Sequence, residues 1–151
     1  MNVQLSSVAE LEGDPGFAAL LAEYAGESSI AGMPPPVAKM ESYRELEARG
    51  LLQVLSATHG GRVIGFLTLL APVLPHYGVP VAVSESFFVA RADRGTGAGL
   101  QLLRAAEDMA RRLGSPGLLV SAPFEGDLFK VLPRIGYAEA SRVFFKKLSD
   151  G

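Results

Sequence analysis

Apolar and polar residues recur along the chain with two different spacings, and the helical spacing stands out first. The stretches "DPGFAALLAEYAG" (14–26) and "AKMESYRELEARG" (38–50) repeat apolar residues every three or four positions and end in glycine. A third stretch, which follows the glycines at positions 95, 97 and 99, has its apolar residues on one face and its charged residues on the other. Its apolar face holds Leu102, Leu103, Ala106, Met109, Ala110 and Leu113. The spacing predicts three main helices.

Other segments are typical of strands. "LLQVLSATHGGRVIGFLTLLAPV" (51–73) predicts two strands joined by a tight turn at the "HGG" triplet, and "VAVSESFFVA" (81–90) predicts a third. Shorter segments predict a first strand in "MNVQLSSV" (1–8), a buried strand at 117–122, a short helix at 125–136 and a final strand or hairpin at 137–148. This order of elements predicts a mixed α/β domain, a single one over residues 1–151.

Composition excludes several classes of protein. The chain is 48% apolar and 20% charged with a net charge of −2, which indicates a globular protein and no nucleic-acid partner. It has no cysteine and two histidines, so thiolate and three-histidine metal sites are excluded and we expect no metal. The longest apolar stretch, 63–74, is too short to span a bilayer. Without a signal-peptide pattern, we expect a cytoplasmic protein without a membrane partner.

The stretch "DRGTGAGLQLL" (93–103) carries glycine at positions 95, 97 and 99, directly before a helix. Glycine is a poor helix former, but it leaves backbone N–H groups unobstructed at the positive end of the helix dipole. This predicts a site for a phosphate or pyrophosphate with Arg94 at its edge. Close packing of helix on strand is the alternative explanation. A phosphate-binding loop would need a lysine here, and a Rossmann fingerprint would need glycine at Leu100.

The motif Arg94-x-x-Gly97-x-Gly99 follows a strand that ends in "FFVA", and "LPRIGY" (132–137) lies downstream. Together they resemble the GNAT superfamily of N-acetyltransferases, whose signature is [QR]-x-x-G-x-[GA]. The resemblance covers most of the chain. It implies an α/β fold with a central, mostly antiparallel twisted sheet whose strands splay apart, flanked by helices. It also implies acetyl-CoA as cosubstrate and direct acetyl transfer to an amine acceptor in a ternary complex. The absence of a cysteine nucleophile fits direct transfer.

The resemblance also implies the cosubstrate contacts. The strand before the motif would pair with the pantetheine arm, and the Val89 N–H would polarise the thioester carbonyl. The backbone amides of 94–100 would bind the pyrophosphate. The expected cofactor-binding residues are therefore Phe87, Phe88, Val89, Arg94, Gly95, Thr96, Gly97, Ala98, Gly99 and Leu100.

Glu85 is the candidate general base. Strand alternation places it on one face with Val83, Phe87 and Val89, and a carboxylate among apolar neighbours can take a proton from the incoming amine. Several members of the resembled family carry a glutamate on this strand in that role. A carboxylate on an open sheet face, or one in a structural ion pair, is the alternative.

Some residues depart from the family pattern. Leu132 stands where the family often has a tyrosine as general acid, and "SAPFEG" (121–126) lacks the family's frequent asparagine. Tyr137 is a weak substitute for that acid, and Phe124 and Phe129 are candidates to flank the cofactor arm. These departures leave open a non-catalytic CoA-binding or regulatory protein on the same fold. Neither the acceptor nor the choice between monomer and homodimer follows from the sequence.

Overall fold

A computed structural model describes residues 1–123 and 126–148. The elements in chain order are β1 (Asn2–Ser6), α1 (Val8–Glu12), α2 (Phe17–Glu27), α3 (Met40–Ala48), β2 (Leu52–His59), β3 (Arg62–Leu70), β4 (Val73–Leu74), β5 (Val79–Pro80), β6 (Ala82–Val89), a 3-10 helix (Arg91–Thr96), α4 (Ala98–Arg112), β7 (Leu118–Leu119), α5 (Asp127–Val131) and a second 3-10 helix (Leu132–Ile135).

Five strands form one sheet in the order β1-β2-β3-β6-β7, and β4 pairs with β5 in a separate ribbon. All neighbours in the large sheet are antiparallel except β6 and β7, which run parallel. The β6–β7 pairing covers only Ala82 and Val83, so the remaining length of β6 has no partner on that side. The fold implied by the resemblance, a mostly antiparallel sheet with splayed strands and flanking helices, is confirmed.

The sheet is packed on both faces. One cluster of buried residues lies between the sheet and α4, and β3 contributes Ile64, Leu67 and Leu69 to it. The second cluster holds α1 and α2 against the other face, where Phe66 and Phe88 meet the Tyr24 ring edge-on with centroids 5.6 and 5.5 Å away. The helices α1, α2 and α4 thus bury apolar residues against the sheet, as the helical spacing predicts for α2 and α4. None of the described helices is both long and apolar enough to cross a bilayer.

A β-bulge interrupts the pairing of β3 with β6. Thr68 is opposite Ser86 and Leu69 is opposite Ser84, so Glu85 is the extra residue. The bulge resets the alternation: Phe87 and Val89 pack toward α4, whereas Phe88 packs on the other face. The prediction that Glu85 shares a face with Phe87 and Val89 is therefore wrong, because one inserted residue turns its side chain to the α3 side.

Two further predictions need correction. The first predicted strand ends at Ser6, because Ser7 begins α1 and its hydroxyl accepts a hydrogen bond from the N–H of Glu10. The spacing Ser7-x-x-Glu10 matches a capping box and could have predicted this helix. The predicted strand or hairpin at 137–148 is also wrong, because this segment belongs to no strand and residues 138–148 are all exposed.

Candidate active site

The start of α4 presents free backbone amides. Gly97 precedes the helix with a φ of +83°, a left-handed conformation that favours glycine. The N–H of Gln101 donates to the Gly97 carbonyl, and the N–H of Ala98 makes a long contact of 3.3 Å with the Thr96 hydroxyl. The N–H groups of Gly99 and Leu100 lie in the first turn, where a helix offers no internal acceptor. They point along the axis at the positive end of the helix.

The fold itself does not require glycine at position 99. A methyl group built there would lie 3.8 Å from the nearest atoms, the ring of Phe87 and a methyl of Val89, which is an ordinary contact distance. At Gly95 it would meet nothing within 4 Å, and the backbone there does not have a positive φ. Tight packing of helix on strand therefore does not explain these two glycines. Bare backbone at these positions fits the close approach of a ligand.

Residues 91–96 form a 3-10 helix rather than an open loop, so several of the predicted amides are engaged within it. Asp93 is buried and accepts from Arg62 Nη2 at 3.3 Å, and the Thr96 hydroxyl donates to the Asp93 carbonyl at 2.6 Å. The amides of Gly99 and Leu100 are consequently better placed for an anion than those of Arg94 and Gly95.

The Arg94 side chain fastens α2 to the end of β6. Its Nε donates to the Val89 carbonyl at 3.1 Å, and its Nη2 donates to Glu27 at 2.9 and 3.0 Å. The guanidinium lies 5.2 Å from the centre of the Phe88 ring. In this arrangement Glu27 already neutralises the arginine, and a contact of Arg94 with a bound anion stays a prediction.

The outer edge of β6 is open where the resemblance expects the pantetheine arm. The Ala90 N–H donates to the Ile64 carbonyl at 2.8 Å, which makes these two residues a hydrogen-bonded pair. In the alternating antiparallel pattern, Gly65–Val89 and Leu67–Phe87 are then pairs without such bonds. The N–H groups of Phe87 and Val89 therefore point away from β3, into the space that β7 leaves uncovered.

Gly65 lets β3 approach β6 closely beside this edge. A methyl group built on it would lie 2.9 Å from the Phe88 carbonyl oxygen and 3.1 Å from a methyl of Val89. Real side chains do not tolerate the first of these distances, so any larger residue would displace the end of β6. Glycine at this position thus fixes where the Val89 N–H lies.

Glu85 is held by hydroxyl groups. The Tyr43 hydroxyl donates to both carboxylate oxygens at 2.9 Å, and the Thr68 hydroxyl donates to one of them at 2.8 Å. Thr68 and Ser86 hydroxyls are 2.6 Å apart, and since the Thr68 proton goes to Glu85, Ser86 is the donor in that pair. The apolar surroundings predicted for Glu85 are wrong. The carboxylate is exposed on its remaining side.

Burial, followed by the negative charge of Glu85, raises the pKa of Tyr43 above that of an ordinary tyrosine. The same two causes, in the same order, raise the pKa of Tyr24. Tyr43 therefore stays protonated and remains a donor to the carboxylate. Sequence spacing gave no indication of this contact, because Tyr43 comes from a helix 42 residues earlier in the chain.

A groove of about 290 Å³ lies beside this carboxylate. Its lining combines small, apolar and polar side chains: Val37, Ala38, Lys39, Ser42, Tyr43, Leu46 and Glu85. One carboxylate and one ammonium group are the charged members of this lining. The groove is open to solvent and is large enough for a small amine or for the end of a longer chain.

The residues considered as general acids, Leu132 and Tyr137, do not line this groove. Leu132 is buried in the cluster beside α4, so it offers no proton. The Tyr137 hydroxyl donates to Glu107 at 2.8 Å, and burial, followed by that hydrogen bond, raises the pKa of Tyr137.

The two aromatic residues expected to flank the cofactor arm contribute little to the described site. Phe129 is half exposed on α5, and Phe124 lies outside the described residues. No three acidic or histidine side chains in 1–123 and 126–148 gather as a metal site would require.

A family model described as acetyltransferase (GNAT) family matches residues 16–124. The chain belongs to the GNAT acetyltransferase family. The match includes α2, α3, β6 and the start of α4, and therefore both the glycine motif and Glu85. The comparison with curated proteins found no match.

Solved structures of other GNAT proteins share the fold. A ribosomal-protein-alanine N-acetyltransferase from Brucella melitensis biovar Abortus is 21% identical, with a TM-score of 0.72 over 98% of this chain and 100% of that one. An aminoglycoside 6'-N-acetyltransferase from Acinetobacter haemolyticus is 22% identical, with a TM-score of 0.70 over 99% and 100%. AAC(6')-Iy, in complex with a CoA-containing bisubstrate analog, is 21% identical, with a TM-score of 0.75 over 98% and 97%.

Proposed function

We propose that this GNAT protein is an acetyl-CoA-dependent N-acetyltransferase that moves the acetyl group directly to an amine acceptor in a ternary complex. One observation carries the proposal. A single strand, β6, presents an open edge at Phe87 and Val89 and, at its bulge, a hydroxyl-bound carboxylate that borders a groove. The strand thus brings a place for the cosubstrate near a place for the acceptor.

The cosubstrate would bind along this edge and at the start of α4. The N–H groups of Gly99 and Leu100 would donate to the pyrophosphate, with Ala98, Gly97 and the remaining residues of the motif shaping the cradle. The backbone of Phe87–Val89 would pair with the amides of the pantetheine arm as an added strand would. Two features support this placement: the open N–H groups at this edge, and a glycine at position 99 that packing does not require.

The Val89 N–H would stabilise the negative charge that develops on the thioester oxygen. It is a fixed backbone donor, held in place by the Gly65 contact and by the bond from Arg94 to the Val89 carbonyl. A preorganised donor of this kind lowers the barrier because it needs no reorganisation during the reaction. In this proposal Arg94 acts by holding the strand end rather than by touching the pyrophosphate.

Glu85 would accept the proton from the incoming amine, directly or through one water molecule. An ammonium ion must lose a proton before its nitrogen can attack, and the carboxylate lies at the groove where an acceptor would bind. Tyr43 and Thr68 would hold its oxygens in place. The Glu85 carboxylate lies on the α3 face of β6, whereas the cosubstrate would lie along the open edge of the same strand.

The reaction balances without a protein acid at the family's tyrosine position. The amine nitrogen forms a bond with the acetyl carbon, the carbon–sulfur bond breaks, and the electron pair leaves on sulfur as CoA thiolate. The nitrogen, which gave its first proton to Glu85, loses its second to solvent as the amide forms. A thiol of ordinary acidity has a pKa of about 8.5, so the thiolate is a tolerable leaving group that solvent can protonate. The buried Leu132 plays no part in this step.

A screen of amine acceptors with acetyl-CoA tests the proposal, with free thiol as the readout and Glu85→Gln as the matched control. We expect thiol release that depends on the acceptor and is lost in the control. The apolar side chain at Leu132 also favours a second candidate, a GNAT protein that binds CoA without turnover. Tight CoA binding with no acceptor-dependent thiol from any class of amine would favour that second candidate.

A further inference from the structure

The groove beside Glu85 carries one positive and one negative side chain. Among the residues that line its volume of about 290 Å³, Lys39 and Glu85 are the charged ones. An acceptor with several ammonium groups would need several carboxylates, and this lining has one. The acidic residues Glu41 and Glu45 also belong to α3, but they do not line the groove. The charges of the groove therefore restrict the kind of amine that fits.

The two charged side chains of the groove do not neutralise each other. The Glu85 carboxylate accepts its hydrogen bonds from the hydroxyls of Tyr43 and Thr68. In the described part of the chain, the ion pairs join other side chains and include neither Lys39 nor Glu85. Lys39 is exposed, so its ammonium group can reach a ligand in the groove. Both charges are thus available to a molecule that carries the opposite charge at each end.

The helix α3 sets the distance between the two ends of the groove. Lys39 directly precedes the helix, and Tyr43, whose hydroxyl contacts Glu85, comes four residues later. Four residues of helix rise about 6 Å, which is roughly one turn. The Ser42 side chain also lines the groove and offers a hydroxyl donor. A ligand whose positive and negative groups are roughly one helical turn apart would therefore reach Glu85 and Lys39 together.

We propose that Lys39 is a specificity-determining residue that binds a carboxylate of the acceptor, and that the acceptor is a small amino acid whose amine and carboxylate are separated by a few carbon atoms. This inference rests on the proposed acetyltransferase function. The amine end lies at Glu85, and the Ser42 hydroxyl donates a second hydrogen bond to the carboxylate. An acceptor that ends in a methyl group leaves Lys39 without a partner, and one that ends in a second ammonium group is repelled by it.

Three acceptors with the same four-carbon chain test the role of Lys39. 4-Aminobutyrate, butylamine and 1,4-diaminobutane end in a carboxylate, a methyl and an ammonium group, respectively. With acetyl-CoA, we expect kcat/KM to be about 10-fold higher for 4-aminobutyrate than for butylamine, and lowest for the diamine. Hydrogen bonds between charged groups commonly contribute a factor of this size, and the exposure of Lys39 places the effect at the lower end of their range.

Charge reversal at position 39 separates recognition of the carboxylate from a structural role. Lys39→Glu should invert the preference, so that 1,4-diaminobutane becomes a better acceptor than 4-aminobutyrate. Lys39→Met should make 4-aminobutyrate and butylamine nearly equal. The matched control Lys146→Glu makes the same change of charge at an exposed residue outside the groove, and it should keep the preference for the carboxylate. CoA affinity should be unchanged in all three variants, which shows that they are folded.

Failure of this inference is distinguishable from failure of the proposed function. Similar kcat/KM for the three acceptors, or an unchanged preference in Lys39→Glu, would overturn the role of Lys39 and leave acetyl transfer intact. Thiol release with other amines but with none of these three would do the same. If no class of amine released thiol from acetyl-CoA, both the inference and the proposed function would be overturned.

Discussion

Gly99→Ala should move the stability of the fold and the affinity for CoA in opposite directions. The added methyl group finds 3.8 Å to its nearest neighbours, so the folded chain accommodates it without a shift. Alanine is favoured over glycine in a helix by up to about 1 kcal/mol, and less in the first turn, so the free energy of unfolding should rise by a few tenths of a kcal/mol.

In the proposed binding mode, the same methyl group stands in the path of the pyrophosphate. If the Gly99 N–H donates to a phosphate oxygen, losing that bond costs about 1.5–3 kcal/mol, which corresponds to a weakening of CoA binding by roughly 10- to 150-fold. Calorimetric titration with CoA measures the affinity, and urea unfolding measures the stability of the same variant.

Gly26→Ala is the matched control for this experiment. Gly26 lies inside α2, and a methyl group there meets nothing within 4 Å, so the substitution should also stabilise the fold. It should leave CoA affinity unchanged. Unchanged CoA affinity in Gly99→Ala would refute the reasoning, because the bare backbone at the start of α4 would then have no role in binding the cosubstrate.

Three further substitutions test other parts of the site. Glu85→Gln should lower kcat by roughly 10²- to 10⁴-fold and leave CoA affinity unchanged. The control Glu45→Gln, on α3, should leave kcat unchanged. Full activity of Glu85→Gln would make Glu85 a structural residue. Tyr43→Phe should make the free energy of unfolding fall less steeply between about pH 9 and 11. The raised pKa of Tyr43 stabilises the folded state fully until the unfolded phenol ionises near pH 10, and this stabilisation is lost as the pH rises further. An unchanged slope of stability against pH in urea unfolding would contradict this. Leu132→Tyr should lower the free energy of unfolding by about 1–3 kcal/mol in the same assay, because residue 132 is buried in a packed cluster, and higher turnover at unchanged stability would show unexpected room there.

Local patterns in the sequence predict the scaffold of the site well. The alternating glycines identify the start of α4, and the apolar stripe of that helix predicts its packing, because both depend on neighbouring residues. The strand that carries Phe87 and Val89 is equally clear. The family resemblance adds the mostly antiparallel, splayed sheet and the expected cosubstrate, which spacing alone does not give.

The polar details of the site could not be predicted because they depend on contacts between distant segments. The bulge at Glu85 arises from the pairing of β6 with β3, and one inserted residue reverses the face of a side chain. The bond from Tyr43 to Glu85 joins α3 to β6, and the Arg94–Glu27 pair joins the motif to α2. None of these partners has a fixed sequence spacing that a motif could contain.

The 137–148 segment illustrates a different limit. Its composition is that of a strand, and the strand prediction is wrong, because β-structure needs a strand partner in addition to suitable residues.

Acetyl transfer followed by mass spectrometry tests the central claim most directly. The native chain is incubated with acetyl-CoA, first alone and then with each class of amine. We expect the mass of the protein to stay unchanged without an acceptor, because transfer is direct, and we expect one amine to gain an acetyl group as CoA thiol appears in equal amount. Tight CoA binding with no acetylated amine, or an acetyl group that stays on the protein before an acceptor is added, would contradict the account.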